Sequence, residues 1–303
     1  MSYIYEALQR VEEERKAAQA STRGVNIQTH SDSGHETLRV LQEMPLGPHV
    51  EAPEESSVPH FERVEITDVP EDSRLVAFCD PSSVGAERFR VLATRLKNLQ
   101  QKRPLKRLLI TSSIMQEGKS LVSSNLAITL ARHGMQRVLL IDGDLRKPVL
   151  CKRFGLSGKG GLSEFLSGNE PVERFISELG ELQIHFLPAG SPPQNPLELL
   201  QSSKLCTMLT TMSTRFDWIV IDSPPLVPVA DANVWGGLTD GMLLVTRQGV
   251  TDRKMLEKGL KPLDNPALLG VVFNDMNGVS ERYDYYSYES HKSAATLSSK
   301  NSD

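Results

Sequence analysis

The sequence predicts an α/β fold: a mostly parallel β-sheet with helices on both faces, preceded by a disordered N-terminal segment. Two patterns predict it. Short apolar runs at residues 107–112, 137–142, 183–188, 217–222, 241–246 and 268–273 alternate with helical stretches, notably 119–133, 196–214 and 252–263. Strands alternating with helices form a sheet covered on both sides. The stretch from about Ser21 to residue 73 is instead polar and rich in Ser, Pro, Glu and His. It cannot bury enough apolar surface to offset the entropy of ordering.

The elements follow in order. Residues 1–20 read as a helix, with Ile4, Leu8 and Val11 on one face at spacings of four and three. That face suits either a short isolated helix or a helix that docks on a partner. Residues 21–73 read as a linker. Order is expected to begin near Leu75, and a helix follows over about 85–102. The repeating pattern then runs to residue 280, so residues 74–280 form one domain and 281–303 a tail.

Composition excludes several function classes. The 303 residues are 39% hydrophobic, low enough that part of the chain lies outside a core. A net charge of −4 gives no general reason to bind nucleic acid. Cys79, Cys151 and Cys206 form no C-x-x-C pair, so neither a disulfide framework nor a zinc site is indicated, and a reducing cytoplasm fits. No apolar run is long enough for a transmembrane helix, and the N-terminus MSYIYEALQRVEEERK is not a secretory signal. Membrane attachment would need a partner. The basic stretch Lys97, Lys102, Arg103, Lys106 and Arg107 reads as a solvated helix end and loop, with contact to a partner at a membrane surface as the alternative.

In a parallel sheet, ligands bind beyond the carboxyl ends of the strands, and three motifs stand there. After the strand at 107–112 comes the loop from Ser113 to Gly118, and Lys119 opens a helix that Gly134 ends. Free backbone N–H groups at such a helix start attract phosphate. The pattern reads as a P-loop, in which Lys119 would reach the β- and γ-phosphates and the Ser120 hydroxyl would hold Mg²⁺. The nucleotide contacts expected are Ser113, Gln116, Glu117, Gly118, Lys119, Ser120 and Leu121. Ser113 and Gln116 stand where related loops often carry glycine.

Asp142 and Asp144 follow the strand Val138–Ile141, and Gly143 between them allows a close turn. Their spacing places two carboxylates at one strand end, which suits Mg²⁺. Asp222 ends Trp218-Ile219-Val220-Ile221, the arrangement of a Walker B acid. The tail reads ERYDYYSYES, with Tyr283, Tyr285, Tyr286 and Tyr288. No single face could bury all four, and the interleaved Asp284, Ser287 and Glu289 favour a solvated segment.

With these motifs, the chain resembles the bacterial tyrosine autokinases of capsule and exopolysaccharide synthesis, P-loop proteins unrelated to eukaryotic kinases. The resemblance covers about residues 74–290. It is carried by EGKS at 117–120, LLIDGDLRKP at 139–148, LPAGSPPQNPLELL at 187–200, IVIDSPPL at 219–226 and the tyrosine tail. It implies an ATP- and Mg²⁺-dependent kinase that phosphorylates its own tail, with Tyr283, Tyr285, Tyr286 and Tyr288 as acceptors. Lys119 and Ser120 then match nucleotide and metal positions, Asp144 and Asp222 match groups that organise Mg²⁺, and Asp142 matches the residue that assists deprotonation of the attacking tyrosine. The resemblance also implies a separate membrane-anchored polysaccharide co-polymerase as activator. Self-association would run through an E-x-x-R-x-x-R motif, of which Glu87 and Arg90 are present and the last position is Ala93. The loop reads MQEGKS where the family often has PGEGKS. The rival readings are a partition or division-site ATPase of the MinD and ParA type and a catalytically weak nucleotide-dependent regulator. The MinD-type signature lysine would fall at Ile114.

Overall fold

The computed structural model describes residues 61–66, 69–157, 160–227, 230–261 and 268–275. The helix expected at 1–20, most of the linker and the tyrosine tail lie outside the described residues.

Among the described residues eight strands form one sheet: β1 (Glu62–Val64), β2 (Arg107–Ser112), β3 (Val138–Asp142), β4 (Ser177–Leu179), β5 (Ile184–Leu187), β6 (Trp218–Asp222), β7 (Gly241–Arg247) and β8 (Leu268–Asn274). Their spatial order is β1-β4-β5-β3-β6-β2-β7-β8, and every pair is parallel except β4 with β5. The central strands are buried on both faces, which is why they read as continuous apolar runs. Alternate residues serve the two faces: Leu108, Ile110, Leu140, Val220 and Val245 share one core cluster.

The helices are α1 (Val76–Cys79), α2 (Val84–Gln100), α3 (Lys119–Gly134), α4 (Leu150–Arg153), α5 (Leu162–Ser167), α6 (Pro196–Leu200), α7 (Ser203–Arg215), α8 (Asp231–Gly237) and α9 (Arg253–Leu260). Ser83 caps α2 by accepting a hydrogen bond from the Ala86 N–H at 3.1 Å. Buried α3 solves the problem of its interior hydroxyls locally. Ser124 donates to the Ser120 carbonyl and Thr129 to the Asn125 carbonyl. The predicted helix at 196–214 is two helices, because Ser202 is extended (φ −68°, ψ 143°) and starts a new one.

Residues ahead of the expected domain start at 74 already belong to the fold. Glu62–Val64 adds to the sheet beside β4, Val64, Ile66 and Val69 pack against the core, and Phe61 meets His185 edge-on. Asn125 of α3 then fastens the chain by accepting from Ala77 N and donating to the Arg74 carbonyl. Of the basic stretch, Lys97 donates to the His133 carbonyl, Arg103 to that of Asp240 and Lys106 to that of Ser213, and Arg107 pairs with Asp240. These charges brace the strand starts, at the end of the sheet opposite the three motifs.

Candidate active site

Strands β2, β3 and β6 are neighbours, with Ile110 in register with Asp222 and Asp142 opposite Asp222. Their carboxyl ends therefore deliver the three motifs to one place. Lys119 Nζ lies 3.1 Å from Asp144 Oδ2, 4.0 Å from Asp222 Oδ2 and 3.3 Å from Ser120 Oγ. All five residues, Lys119, Ser120, Asp142, Asp144 and Asp222, are buried.

The phosphate loop takes its shape from specific backbone choices. Gly118 has φ 98°, and a β-carbon there would lie 2.0 Å from the Asn274 amide nitrogen. Only glycine meets both demands. Gln116 also has positive φ, 67°, with its side chain in solvent, so the loop turns where related loops use glycine. Ser113 is buried and its hydroxyl has no hydrogen-bond partner. Leu121 packs against the core, leaving its backbone to face the helix start.

Glu117 has a role that sequence reasoning missed. Its carboxylate turns inward, accepts from the Ile114 N–H at 2.9 Å and from the Thr251 hydroxyl, and is fully buried. Its carbonyl accepts from the Asn274 amide at 3.0 Å. Glu117 is therefore a strut that ties the loop to the segment after β7 and to the end of β8.

The acids differ in surroundings. Asp142 Oδ1 accepts from Asp144 N at 3.3 Å and Oδ2 from Leu150 N at 3.1 Å, so this side chain brackets the loop after β3. Burial first, then the charge of Asp222, push the Asp142 carboxyl up to about 8. Asp144 Oδ1 accepts from Lys147 N at 3.0 Å. Asp222 is fully buried, and neither of its oxygens meets a hydrogen-bond donor in good geometry. Burial raises its carboxyl, and Lys119 and Ser120 pull it back only in part. For Lys119, burial works against the charge, but Asp222 and Asp144 outweigh it and hold the ammonium above the usual lysine range.

Two orphaned oxygens on a buried carboxylate, beside a hydroxyl and a second acid, call for a cation. Ser120, Asp144 and Asp222 fit Mg²⁺, which takes few protein ligands and keeps waters. Among the described residues no group of three or more His, Cys, Asp or Glu side chains is arranged to hold a metal ion by itself.

Glu87 and Arg90 do not join this site. Arg90 donates to Glu87 Oε2 at 2.6 Å and to the Pro81 carbonyl at 2.8 Å, and Ala93, the third motif position, is only 3% exposed on the core side of α2. Tyr283, Tyr285, Tyr286 and Tyr288 lie outside the described residues.

No family model matches the chain. The tyrosine-protein kinase YwqD of Bacillus subtilis is 33% identical over 215 residues, covering 70% of this chain and 90% of that protein. The chain belongs to the bacterial tyrosine-protein kinases. A putative kinase of this family in the cps region of Klebsiella pneumoniae is 31% identical over 246 residues, 80% of this chain but 34% of that longer protein. The kinase domain of the Escherichia coli tyrosine kinase ETK shares the fold with a TM-score of 0.64 and 30% identity, over 67% of this chain and 80% of that domain. The fold is thus that of a P-loop tyrosine-protein kinase, and the phosphate loop, the two acidic strand ends and the strut at Glu117 are its local form here.

Proposed function

We propose that this chain transfers the γ-phosphoryl group of ATP to tyrosines of its own tail, Tyr283, Tyr285, Tyr286 and Tyr288, between subunits. By this it regulates polymerisation and export of a surface polysaccharide. The observation that carries the reading is the meeting, at the carboxyl ends of three adjacent strands, of Lys119, Ser120, Asp144 and an Asp222 whose oxygens accept no hydrogen bond.

The bond from γ-phosphorus to the bridging oxygen breaks, leaving ADP, and a bond from phosphorus to the tyrosine Oη forms. Lys119 neutralises charge on the phosphate oxygens, and the backbone N–H groups at the start of α3 orient them. Ser120, Asp144 and Asp222 would hold Mg²⁺, which would supply further charge neutralisation to the transferring phosphate. A tyrosine hydroxyl has a pKa of about 10, so its proton needs an acceptor, and the ionised form of Asp142 would be that acceptor as the new bond forms.

No helix among the described residues is long and apolar enough to cross a membrane. Membership of this family supports a separate membrane-anchored activator that brings the chain to the inner membrane face. The test is mass spectrometry of the tail after incubation with Mg²⁺ and ATP, with and without the activator's cytoplasmic segment. Phosphotyrosine within residues 283–288 is expected. An unmodified tail under both conditions would leave a nucleotide-dependent regulator as the better reading.

A further inference from the structure

Asp142 ends β3, Asp144 lies in the loop that follows, and Arg146 stands two residues further on. Arg146 forms a two-pronged ion pair with Asp231, Nε to Oδ2 at 2.7 Å and NH2 to Oδ1 at 3.0 Å. Asp231 is fully buried and opens α8. One turn further along α8, the Trp235 indole N–H donates to the Gly143 carbonyl at 3.1 Å. The Gly143 N–H in turn donates to the Asp222 carbonyl at 2.7 Å.

Positions 231 and 235 are four apart and share one helix face. That single face therefore grips the loop on both sides of Asp144. The Gly143 peptide is clamped between the Trp235 ring and the Asp222 backbone. A β-carbon at Gly143 would lie 2.9 Å from Trp235 Cε2 and 3.0 Å from the Asp222 oxygen, so the fit admits only glycine.

We propose that Trp235 and Asp231 are positioning residues that set the register of the loop after β3. They hold Asp144 toward Lys119 and Asp222 without touching nucleotide themselves. The proposal rests on the kinase reading above for its catalytic readout but not for its metal readout. Buried hydrogen bonds to charged or clamped groups fix geometry tightly, and a displacement of about 1 Å in such a site can cost up to about 100-fold in rate.

The test uses the full chain. Trp235→Phe keeps most of the ring volume and removes the N–H. Transfer should fall roughly 10- to 100-fold in kcat, with the KM for ATP kept within about two-fold and the Mg²⁺ needed for half-maximal activity raised. Arg146→Lys, at a solvent-facing side chain, loses the fork geometry and should show the same split if the Trp235 variant does not fold. Unchanged kcat and Mg²⁺ requirement would overturn the proposal. So would equal losses in kcat and ATP affinity, which is the signature of general destabilisation. If the wild-type chain transfers no phosphate, the kinase reading fails by itself. The Mg²⁺ dependence of ADP binding, compared between wild type and Trp235→Phe, then decides the positioning role alone: a raised Mg²⁺ requirement supports it and an unchanged one refutes it.

Discussion

Lys119 Nζ is held 3.1 Å from Asp144 Oδ2, inside a buried group that also contains Asp142 and Asp222. The lysine is thus the counter-ion of Asp144 and Asp222 before it meets any phosphate. Nucleotide and metal must exchange partners here: phosphate takes over the ammonium, and the cation takes over the acids. Lys119→Met removes the ammonium that pairs directly with Asp144 and Asp222 and leaves these buried acids short of positive charge. It should abolish phosphate transfer and also lower the stability of the metal-free protein by about 3–5 kcal/mol. Because Mg²⁺ can replace the lost charge, it should raise Tm more in this variant than in wild type. Thermal melts with and without Mg²⁺ check this; equal Mg²⁺ responses would remove Lys119 from the cluster.

Asp222 and Asp142 should respond in opposite ways to loss of charge. Asp222→Asn removes a buried charge with no hydrogen-bond donor, so the metal-free protein should melt higher. The same change should depress transfer by roughly 100-fold or more and remove the Mg²⁺ effect on Tm. In Asp142→Asn, one amide end must face a backbone N–H, because Asp144 N and Leu150 N approach both oxygens. Two donors would then oppose each other, costing about 1–3 kcal/mol. Melting curves of both variants measured together decide it. A stabilised Asp142→Asn would mean that the loop does not depend on that bracket.

Asp240 offers a pH handle far from the metal groups. It accepts from Lys106 N, Arg107 N and both ends of the Arg107 fork, and so fixes the start of β2 against β7. Burial works against its charge, but the Arg107 and backbone hydrogen bonds outweigh it and hold the carboxyl below the usual range. A depressed carboxyl contributes stability that is present above the unfolded value of about 3.9 and is lost as pH falls through the folded value. Asp240→Asn should therefore cost about 2 kcal/mol near neutral pH, and that cost should shrink in acid below pH 4. A cost that stays constant with pH would show that the charge is not what matters.

Much of this was legible in the sequence, and the exceptions have physical causes. Strands β2, β3, β6 and β7 are apolar runs because they are covered on both faces, and each matches its predicted run within a residue or two. By contrast β1 (ERV) and β4 (SEL) are three-residue strands at one edge, too short and too polar to show a period. The cluster of Lys119 with Asp144 and Asp222 follows from motif order at strand ends. The inward turn of Glu117 and the grip of Trp235 on Gly143 do not, since both depend on partners more than 90 residues away in sequence. Arg146 was noticed as part of a motif, but nothing local pointed to Asp231.

The altered phosphate loop should be nearly neutral. Gln116 sits at φ 67° with its side chain in solvent. A left-handed non-glycine residue costs about 1–2 kcal/mol, and glycine would relieve this while adding about 0.5–1 kcal/mol of chain entropy to lose. Gln116→Gly should therefore change stability by less than about 1 kcal/mol, toward stabilisation, and leave ATP affinity unchanged. Gly118→Ala, which drives a methyl into Asn274, should weaken both. Nucleotide titrations of the pair separate the positions; a large gain in affinity for Gln116→Gly would show that this loop is held in a weakened form.

The tail decides the function. A Lys119→Met chain with an intact tail cannot phosphorylate itself, and a wild-type domain lacking residues 281–303 has no acceptor tyrosines in that segment. Mixed with Mg²⁺ and ATP, the pair should place phosphate on Tyr283, Tyr285, Tyr286 or Tyr288 of the Lys119→Met chain if transfer runs between subunits. Each phosphate adds about −1.5 to −2 charges at pH 7. Two or more beside Asp284 and Glu289 would be repelled by a site already lined with Asp142, Asp144 and Asp222. Phosphorylation should therefore release the tail and loosen any assembly that holds it, so the mixture should shift toward smaller species as phosphate accumulates. Size-exclusion chromatography coupled to tail-peptide mass spectrometry reads both events. Phosphate appearing only when active site and tail share a chain would refute transfer between subunits, and assemblies that persist on a fully phosphorylated tail would refute the release.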